Sequence, residues 1–297
     1  MLALKVFRAL DSKNMLRGLS DATYLRVLYR LKFGKRLDLQ NPQTFNEKLQ
    51  WLKINYRKPI FTSMVDKYEA KKIIEEKIGS KYVIPTLGVW DSVDDIDFGS
   101  LPDQFVLKCT HNSGGLVVCR DKGKLDLEAA KERIKRSMKK EYFYHGREWP
   151  YKDVKPRIIA EPLVHNDDNS ALVEYNFFCF NGEPKVVMYC HGDRDKGETR
   201  YNDFYLLDGT RLPLSWGYRS SDISEFKSFD VFSDMIEKAK IISRGLPFLR
   251  VDFYLANGKA LMGEMTFFHW SGLTPTTPPE WDKRFGEWIQ LPRSEKQ

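Results

Sequence analysis

Two acidic residues interrupt apolar, strand-like runs near the C-terminus of the sequence. Asp252 lies in the run LRVDFYLA, Glu264 lies in KALMGEMTF, and Asn257-Gly258 stands between the two runs. An Asn-Gly pair is typical of a tight hairpin turn, which would bring the two carboxylates onto neighbouring strands. Such carboxylates are costly unless they pair or bind a cation, and hard oxygen ligands suit Mg²⁺ held jointly with phosphates. A partly exposed sheet face with salt-bridged acids is the alternative.

A lysine and a loop of small residues form the second feature. The strand-like run FVLK ends at Lys108 and is followed by a polar loop, which contains Thr110, Asn112, Ser113, Gly114 and Gly115. Such a loop can turn backbone N–H groups toward a phosphate, glycine allows close approach, and the lysine adds a point charge. The spacing is not that of a P-loop, and no helix follows. A plain β-hairpin with a polar tip has the same pattern.

The elements that must position these residues alternate between helical and strand-like patterns. Residues 3–33 have helical apolar spacing, Thr44 to Glu47 form a capping-box pattern, and further helices are predicted over 62–78, ending at Gly79, and over 126–140 and 230–244. Short apolar runs separated by Gly, Pro and Asp predict strands, among them RIIAEPLV at 157–164 and a hairpin at Asn181-Gly182. This mixture predicts an α+β fold with antiparallel sheets in two lobes, joined near 160–170.

Composition points to a soluble globular protein, with 42% hydrophobic and 30% charged residues. No stretch approaches the roughly 18 consecutive apolar residues of a membrane span. The N-terminal apolar run is interrupted by Lys5 and Arg8, which is untypical of a signal peptide. The four cysteines show no C-x-x-C spacing and lie in apolar runs, as reduced buried thiols do. We therefore expect a cytoplasmic protein.

The net charge of +7 is concentrated at the N-terminus, because residues 1–38 hold nine Lys/Arg against three acidic residues. Basic residues among leucines at helical spacing are typical of a helix on an anionic surface, so peripheral contact with the inner face of a membrane is one hypothesis. The alternative is that these helices pack on the rest of the protein.

The order of these features along the chain resembles the ATP-grasp superfamily. The motifs NPQTFNEKLQWLK, DKYEAKK, FVLKCTHNSGG, VEYNFFCFNGEPK, LRVDFY, GEMTFFHWSG and WDKRFGEWIQLP are, more narrowly, similar to its TupA-like branch, which is associated with teichuronopeptide biosynthesis. The resemblance runs from about residue 41 to the C-terminus. It implies an ATP-grasp fold, in which two α+β lobes sandwich ATP behind a helical N-terminal segment. The expected divisions are a basic segment at 1–60, a small lobe at 61–164 and a large lobe at 165–297.

The resemblance also implies a role for each matching residue. Lys67 and Lys108 would hold the α- and β-phosphates of ATP, and the loop would cover the phosphates with Thr110, Asn112, Ser113, Gly114 and Gly115. Glu161 and the backbone near Leu163 would receive adenine, and Glu174 would bind ribose in place of the Asp expected in this branch. Asp252 and Glu264 would hold Mg²⁺ with Thr266, which replaces the usual Asn. Arg250 and Lys108 would stabilise the transferred phosphoryl group.

The implied reaction is an ATP-dependent ligation. A carboxylate attacks the γ-phosphoryl group, and an amine then displaces phosphate from the acyl phosphate to form an amide. The family association points to a uronic acid of a capsular or envelope polysaccharide as the carboxylate, and to an amino acid or other amine as its partner. Many ATP-grasp enzymes have an N-terminal Rossmann-like domain, whereas the first 60 residues of this sequence are predicted to be helical and too short for one.

Two other functions are weighed against the ligase. Asp95-Ile96-Asp97 and Asp193-Arg194-Asp195 are D-x-D strings of the kind that chelate the metal of a sugar nucleotide in a glycosyltransferase. Residues 139–157 interleave basic and aromatic side chains, as single-strand nucleic-acid binders do, but no RRM or KH motif is present. That segment is expected instead to pack between the lobes or to line the substrate cleft, and no nucleic-acid partner is predicted.

Overall fold

The structure is a computed structural model that describes residues 2–168, 170–192, 199–222 and 231–292. Its helices, in chain order, are α1 (Leu2–Ser12), α2 (Asp21–Phe33), α3 (Phe45–Asn55), α4 (Ile60–Val65), α5 (Glu69–Ile78), α6 (Leu127–Met138), α7 (Phe232–Ser243) and α8 (Glu280–Trp288). Its strands are β1 (Gly88–Trp90), β2 (Phe105–Cys109), β3 (Leu116–Cys119), β4 (Ile158–Pro162), β5 (Val173–Phe180), β6 (Glu183–His191), β7 (Tyr201–Leu206), β8 (Phe248–Ala256) and β9 (Lys259–Thr266).

The strands form two antiparallel sheets, as the sequence predicts. The smaller sheet has the order β1-β4-β2-β3, and the larger has the order β7-β6-β5-β8-β9. Two tight turns shape the larger sheet, because Asn181-Gly182 joins β5 to β6 and Asn257-Gly258 joins β8 to β9. Both asparagines have positive φ, 52° and 49°, which is the backbone conformation that Asn-Gly hairpin turns require.

Each sheet has its own hydrophobic core. In the smaller unit α6 covers β2 and β3, with Ile134 and Leu107 fully buried between them. The larger core is rich in aromatic side chains, such as Phe178 and Phe248, and it also takes in residues of α3, α4, α5, α7 and α8. The division into residues 61–164 and 165–297 stays a prediction, although α4 and α5 share the core of the larger sheet.

The helix predicted over 62–78 is wrong in one respect, because it is two helices. Helix α4 ends at Val65 and α5 begins at Glu69, so Lys67 lies in a turn and not on a helix. The break occurs at Asp66, whose carboxylate accepts the backbone N–H of Tyr68 at 2.8 Å and also pairs with Arg157 at 2.8 Å. An Asp side chain that bonds nearby backbone in this way competes with helix formation. The predicted end at Gly79 is confirmed.

The N-terminal helices dock on the rest of the protein. Ser20 caps the start of α2, and Tyr24, Leu25 and Tyr29 from its buried face form a separate small core that also includes Leu273. Arg147 contacts this small core from the rest of the protein. Its guanidinium lies 4.5 Å from the centre of the Tyr24 ring and donates to the Leu16 carbonyl at 2.9 Å. The buried side chains of residues 1–38 therefore pack on the rest of the protein, as the second hypothesis for this segment expects.

Candidate active site between the two sheets

The predicted carboxylate hairpin forms. Asp252 on β8 is directly opposite Glu264 on β9. Arg250, two residues earlier on the same face, bridges both acids. Its Nε donates to Asp252 Oδ1 at 2.7 Å, and its Nη2 donates to Glu264 Oε1 at 3.0 Å. A third nitrogen of the guanidinium donates to Nδ1 of His269 at 2.7 Å. Burial and the Arg250 charge hold the pKa of His269 well below its ordinary value, so the ring is neutral and can accept.

The two acids differ in ionisation. Burial raises the pKa of Asp252 to about 7, although the adjacent Arg250 opposes the shift. Burial would also raise the pKa of Glu264, but Arg250 and Lys67 outweigh it and hold that pKa below its ordinary value. Protein surrounds the side chain of Glu264 on most sides, but 48% of it is exposed because it opens onto a cavity. Of the two acids, Glu264 is therefore the one that the site favours in its charged form.

The oxygen atoms of this hairpin fit Mg²⁺. Asp252 and Glu264 supply two carboxylates, and the Thr266 hydroxyl lies 3.0 Å from Glu264 Oε1 and donates to it. Mg²⁺ is commonly held by one or two carboxylates together with substrate phosphates and water. No group of three or more His, Cys, Asp or Glu side chains suited to a metal occurs in the described ranges. A metal here would therefore take part of its coordination from a ligand.

Three lysines lie near the carboxylate hairpin, on the elements that face it. Lys108 on β2 pairs with Glu161 on β4 at 2.5 Å, and Lys71 on α5 pairs with the other oxygen of the same carboxylate at 2.6 Å. Burial would raise the pKa of Glu161, but Lys108 and Lys71 outweigh it and hold the pKa low. Lys67 is held by the carbonyl of Asn112 at 2.6 Å. Burial lowers the pKa of Lys67, an effect that the charge of Glu264 opposes.

The polar loop joins β2 to β3 and divides its residues between two roles. Thr110 is buried, with its hydroxyl donating to the Lys155 carbonyl at 3.1 Å. Asn112 is buried as well, and its amide donates to the Ser137 carbonyl at 2.8 Å. Ser113 and Gly114 form the exposed tip. These contacts anchor the loop on the N-terminal side of its exposed tip.

Gly115 shows why the loop needs glycine at its end. A Cβ at this position would lie 1.6 Å from Oγ of Ser137, on helix α6. The loop can therefore approach α6 only because this residue has no side chain.

Two cavities meet beside this loop. The inner cavity, of about 190 Å³, lies between the sheets and is lined by Lys67, Lys71, Lys108, Glu161 and Tyr254 among others. The outer cavity, of about 770 Å³, lies over the larger sheet and includes Arg250, Thr266 and Asn176. Ser113, Tyr151 and Glu264 line both. A group bound in one cavity can therefore touch a group bound in the other at Glu264.

The remaining predicted site residues lie around these cavities. Leu163 lines a neighbouring pocket of about 290 Å³, which shares Ile84 with the inner cavity. Glu174 lines the outer cavity and pairs with Arg200 at 2.9 Å. The structure thus brings Lys67, Lys108, Glu161 and Glu264 together at the inner cavity. Glu174 lies on the same face of the larger sheet as Asp252 but lines the outer cavity. The adenine role of Leu163 and the ribose role of Glu174 stay predictions.

Sequence reasoning missed several cavity residues. Lys71 stands four residues after Lys67, a spacing that places side chains on one helical face, but it reads equally well as a solvated lysine beside Lys72. Tyr254 stands two residues after Asp252 and so shares its strand face. Arg200 lies far from every quoted motif, and the residues around it show no pattern that predicts a place in the site.

The segment 139–157 lies partly inside the fold. Arg147 and Trp149 are buried, while Tyr142 and Tyr151 line the cavities. The D-x-D string at 193–195 lies outside the described residues. In the other string Asp95 and Asp97 are exposed, and Asp97 accepts the backbone N–H of Gly99 at 2.9 Å within a turn. No helix among the described residues is long and apolar enough to cross a membrane.

The sequence profile of the TupA-like ATP-grasp family (TupA-like ATPgrasp) matches residues 47–290. The chain belongs to this family. The predicted resemblance is thereby confirmed, and so is the ATP-grasp fold, with its two antiparallel sheets and helices and its additional N-terminal helices. Helices α1 and α2 precede the region that the family profile matches.

Solved ligase structures are similar to this chain at low identity. D-alanine–D-alanine ligase from Bacillus anthracis complexed with ATP is 14% identical with a TM-score of 0.40, over 69% of this chain and 55% of that one. The ATP-grasp ligase PsnB, complexed with a phosphomimetic variant of its minimal precursor, Mg and ADP, is 13% identical with a TM-score of 0.41, over 75% and 57%. D-alanine–D-alanine ligase from Helicobacter pylori is 14% identical with a TM-score of 0.41, over 76% and 61%.

The chain thus spans less than two thirds of each of these structures. No curated protein matches its sequence.

Proposed function

We propose that this protein is an ATP- and Mg²⁺-dependent carboxylate–amine ligase. The observation that carries the proposal is the junction of the two cavities at Ser113, Tyr151 and Glu264. The inner cavity has the lysines and the loop suited to a triphosphate, and the outer cavity has the room for an organic acceptor. Their junction is where a γ-phosphoryl group and an attacking carboxylate would meet.

The lysines that line the inner cavity suit the phosphates of ATP in charge. Lys67 and Lys108 would hold the phosphates, with the tip of the loop at Ser113 and Gly114 closing over them. The base would extend toward Glu161 and the pocket beside Leu163. Phosphoryl transfer depends on positioning and charge stabilisation more than on a protein nucleophile, and this donor set supplies both.

Asp252, Glu264 and Thr266 would hold Mg²⁺, which when bound neutralises charge on the β- and γ-phosphates. Arg250 lies beside both acids and faces the outer cavity. It would stabilise the charge of the transferred phosphoryl group while His269 and Asp252 fix its orientation. The acceptor carboxylate attacks the γ-phosphorus and ADP leaves. The amine nitrogen then attacks the acyl carbon, loses its proton, and inorganic phosphate leaves as the amide forms.

The lining of the outer cavity supports a sugar acid as the acceptor. Trp270 is 39% exposed and lines this cavity with a left-handed backbone, φ 48°. Such a conformation is strained for a bulky residue and concentrates at functional sites. Asn176 and Asn202 are buried and line the same cavity. In the described part of the chain neither amide oxygen, both buried, has a hydrogen-bond partner, so a hydroxyl or amine donor that reached either oxygen would satisfy a group that is costly to leave unpaired. We infer a uronic acid of a surface polysaccharide as the carboxylate, and an amino acid or other amine as its partner.

The N-terminal segment also exposes apolar and basic side chains suited to peripheral contact with an anionic membrane. Leu2 and Val6, four residues apart on α1, are exposed, and so are Arg30, Lys35 and Arg36. Basic residues near such a surface gain about 1 kcal/mol each. Charge reversal at Arg30, Lys35 and Arg36 should release the protein from vesicles that contain anionic lipid while turnover of dissolved substrates is unchanged. Absence of vesicle binding by the wild type would exclude the contact.

The decisive experiment measures ADP release with Mg-ATP against pairs of uronic acids and amino acids. ADP should appear only when a carboxylate substrate is present, and an amide product should follow when the amine is added. Thermal shifts with ATP and with UDP-sugars form the parallel measurement. Stabilisation by a UDP-sugar without stabilisation by ATP would replace the ligase with a glycosyltransferase.

A further inference from the structure

The N-terminal helices form one wall of the outer cavity. Phe7, Arg8 and Asp11 of α1 line it, and so do Tyr24, Leu28 and Lys32 of α2. Since α1 and α2 precede residue 47, this wall lies outside the region that the family profile matches.

The position of this wall is set by contacts with the rest of the protein. Arg57 donates to the Asp21 carboxylate at the start of α2, at 2.7 Å, and buried Arg147 stacks on Tyr24 and binds the Leu16 carbonyl. Tyr24 in turn donates to Asp11 on α1 at 3.0 Å. The side chains that α1 and α2 present to the cavity are therefore held in place against the core.

Charge on this wall is unbalanced. The arginines on the opposite side of the cavity are paired, Arg200 with Glu174 and Arg250 with Asp252 and Glu264. Arg8 and Lys32 differ, because neither has an ion pair with any residue that the structure describes. The two lie close enough that the charge of Arg8 adds to burial in lowering the pKa of Lys32. Asp11, the acid on the same wall, is occupied by Tyr24 and by His145 at 3.4 Å.

We propose that Arg8 and Lys32 form an anion-binding rim of the substrate cavity, which holds a second anionic group of the acceptor, apart from the carboxylate that reacts beside Arg250. This inference rests on the proposed ligase function. Two unpaired cations that line the same cavity repel each other, and an anion bound between them would offset that repulsion. Acceptors with a phosphate or with a second carboxylate both supply such a group, and an uncharged sugar does not.

The test is calorimetric titration in the presence of Mg²⁺ and a non-hydrolysable ATP analogue. The probes are galacturonic acid, with one anionic group, and two larger anions, digalacturonic acid and galacturonic acid 1-phosphate. We expect the wild type to bind at least one of the larger probes about tenfold more tightly than galacturonic acid. The probe that is preferred identifies the anion as carboxylate or phosphate. The preference should fall as salt rises, since the rim is open to solvent.

Three variants locate the effect. Arg8→Gln with Lys32→Gln should reduce the preference to about twofold or less, while Arg8→Lys with Lys32→Arg should retain most of it. Lys5→Gln with Arg26→Gln is the matched control, because it removes two charges from the same helices at exposed positions outside the cavity. This control should keep the full preference. Unchanged melting temperatures in all three would show that the helices stay docked.

The proposal is overturned if the wild type shows no preference, if the Gln pair keeps it, or if the matched control loses it equally. Its failure is distinct from failure of the ligase function. ADP release without any charge preference would leave the ligase standing and remove the rim. A charge preference that depends on Arg8 and Lys32, in a protein that releases no ADP, would leave the rim standing and remove the ligase.

Discussion

Asp252→Asn and Glu264→Gln should have opposite effects on stability although both should abolish ATP turnover. The pKa of Asp252 is raised from 3.8 to about 7, so the folded protein favours its neutral form. Its contribution to stability is complete below about pH 4 and is lost as the pH rises to about 7. The pKa of Glu264 is lowered, so its contribution is present above the ordinary carboxyl pKa and is lost as the pH falls.

The magnitude for Asp252 follows from the difference between the two pKa values. One pKa unit corresponds to about 1.4 kcal/mol, so ionising Asp252 in the fold costs roughly 4 kcal/mol at most above pH 7. We expect the Asn variant to recover roughly half of this cost, because Arg250 loses the charge of one of its two acidic partners. At about 2 °C per kcal/mol for a chain of this size, its Tm should exceed that of the wild type by about 4 °C at pH 8. Little gain should remain at pH 4.

The assay is thermal unfolding from pH 4 to pH 8, without nucleotide and with a chelator present, together with ADP release at pH 7.5. The Gln variant of Glu264 should be less stable than the wild type at pH 8, since it removes a charge that Arg250 and Lys67 favour. Equal shifts of the same sign in both variants would refute the assigned ionisation states. Retained ADP release in both would refute their role at the metal.

Three further changes test other parts of the site. Lys108→Ala should weaken the thermal stabilisation by Mg-ATP, since a charge-assisted contact is worth about 1.5–3 kcal/mol, whereas exposed Lys72→Ala should not; an unchanged ATP shift would remove Lys108 from the nucleotide site. Gly115→Ala should displace the loop from α6 and lower both Tm and ADP release, and normal values of both would show that the loop tolerates the extra carbon. Trp270→Ala should raise the KM for the acceptor about tenfold with the KM for ATP unchanged; equal rises in both would indicate a structural role.

Local patterns in the sequence determined most of the elements and the hairpin that carries the two carboxylates. The Asn-Gly turns, the capping box at Thr44 and the alternation of apolar residues depend on neighbours a few positions away, so they can be read without a tertiary structure. The exact pairing of Asp252 with Glu264 does not follow from the turn, whose register would place Gly263 opposite Asp252; a β-bulge between Asp252 and Phe253 shifts the register by one residue and brings Glu264 there. The family motifs then named the lysines and acids of the site.

Only the tertiary structure decided what surrounds those residues. Asp66, where the predicted helix breaks, pairs with Arg157, which lies 91 positions away in the sequence. The charge cluster of Lys71, Lys108 and Glu161 joins a helix to two strands. Likewise, the place of Arg8 and Lys32 on the cavity wall depends on helices docked by Arg57 and Arg147. Contacts between such distant residues arise when whole helices and strands pack together. The spacing of neighbouring residues in the sequence does not predict that packing.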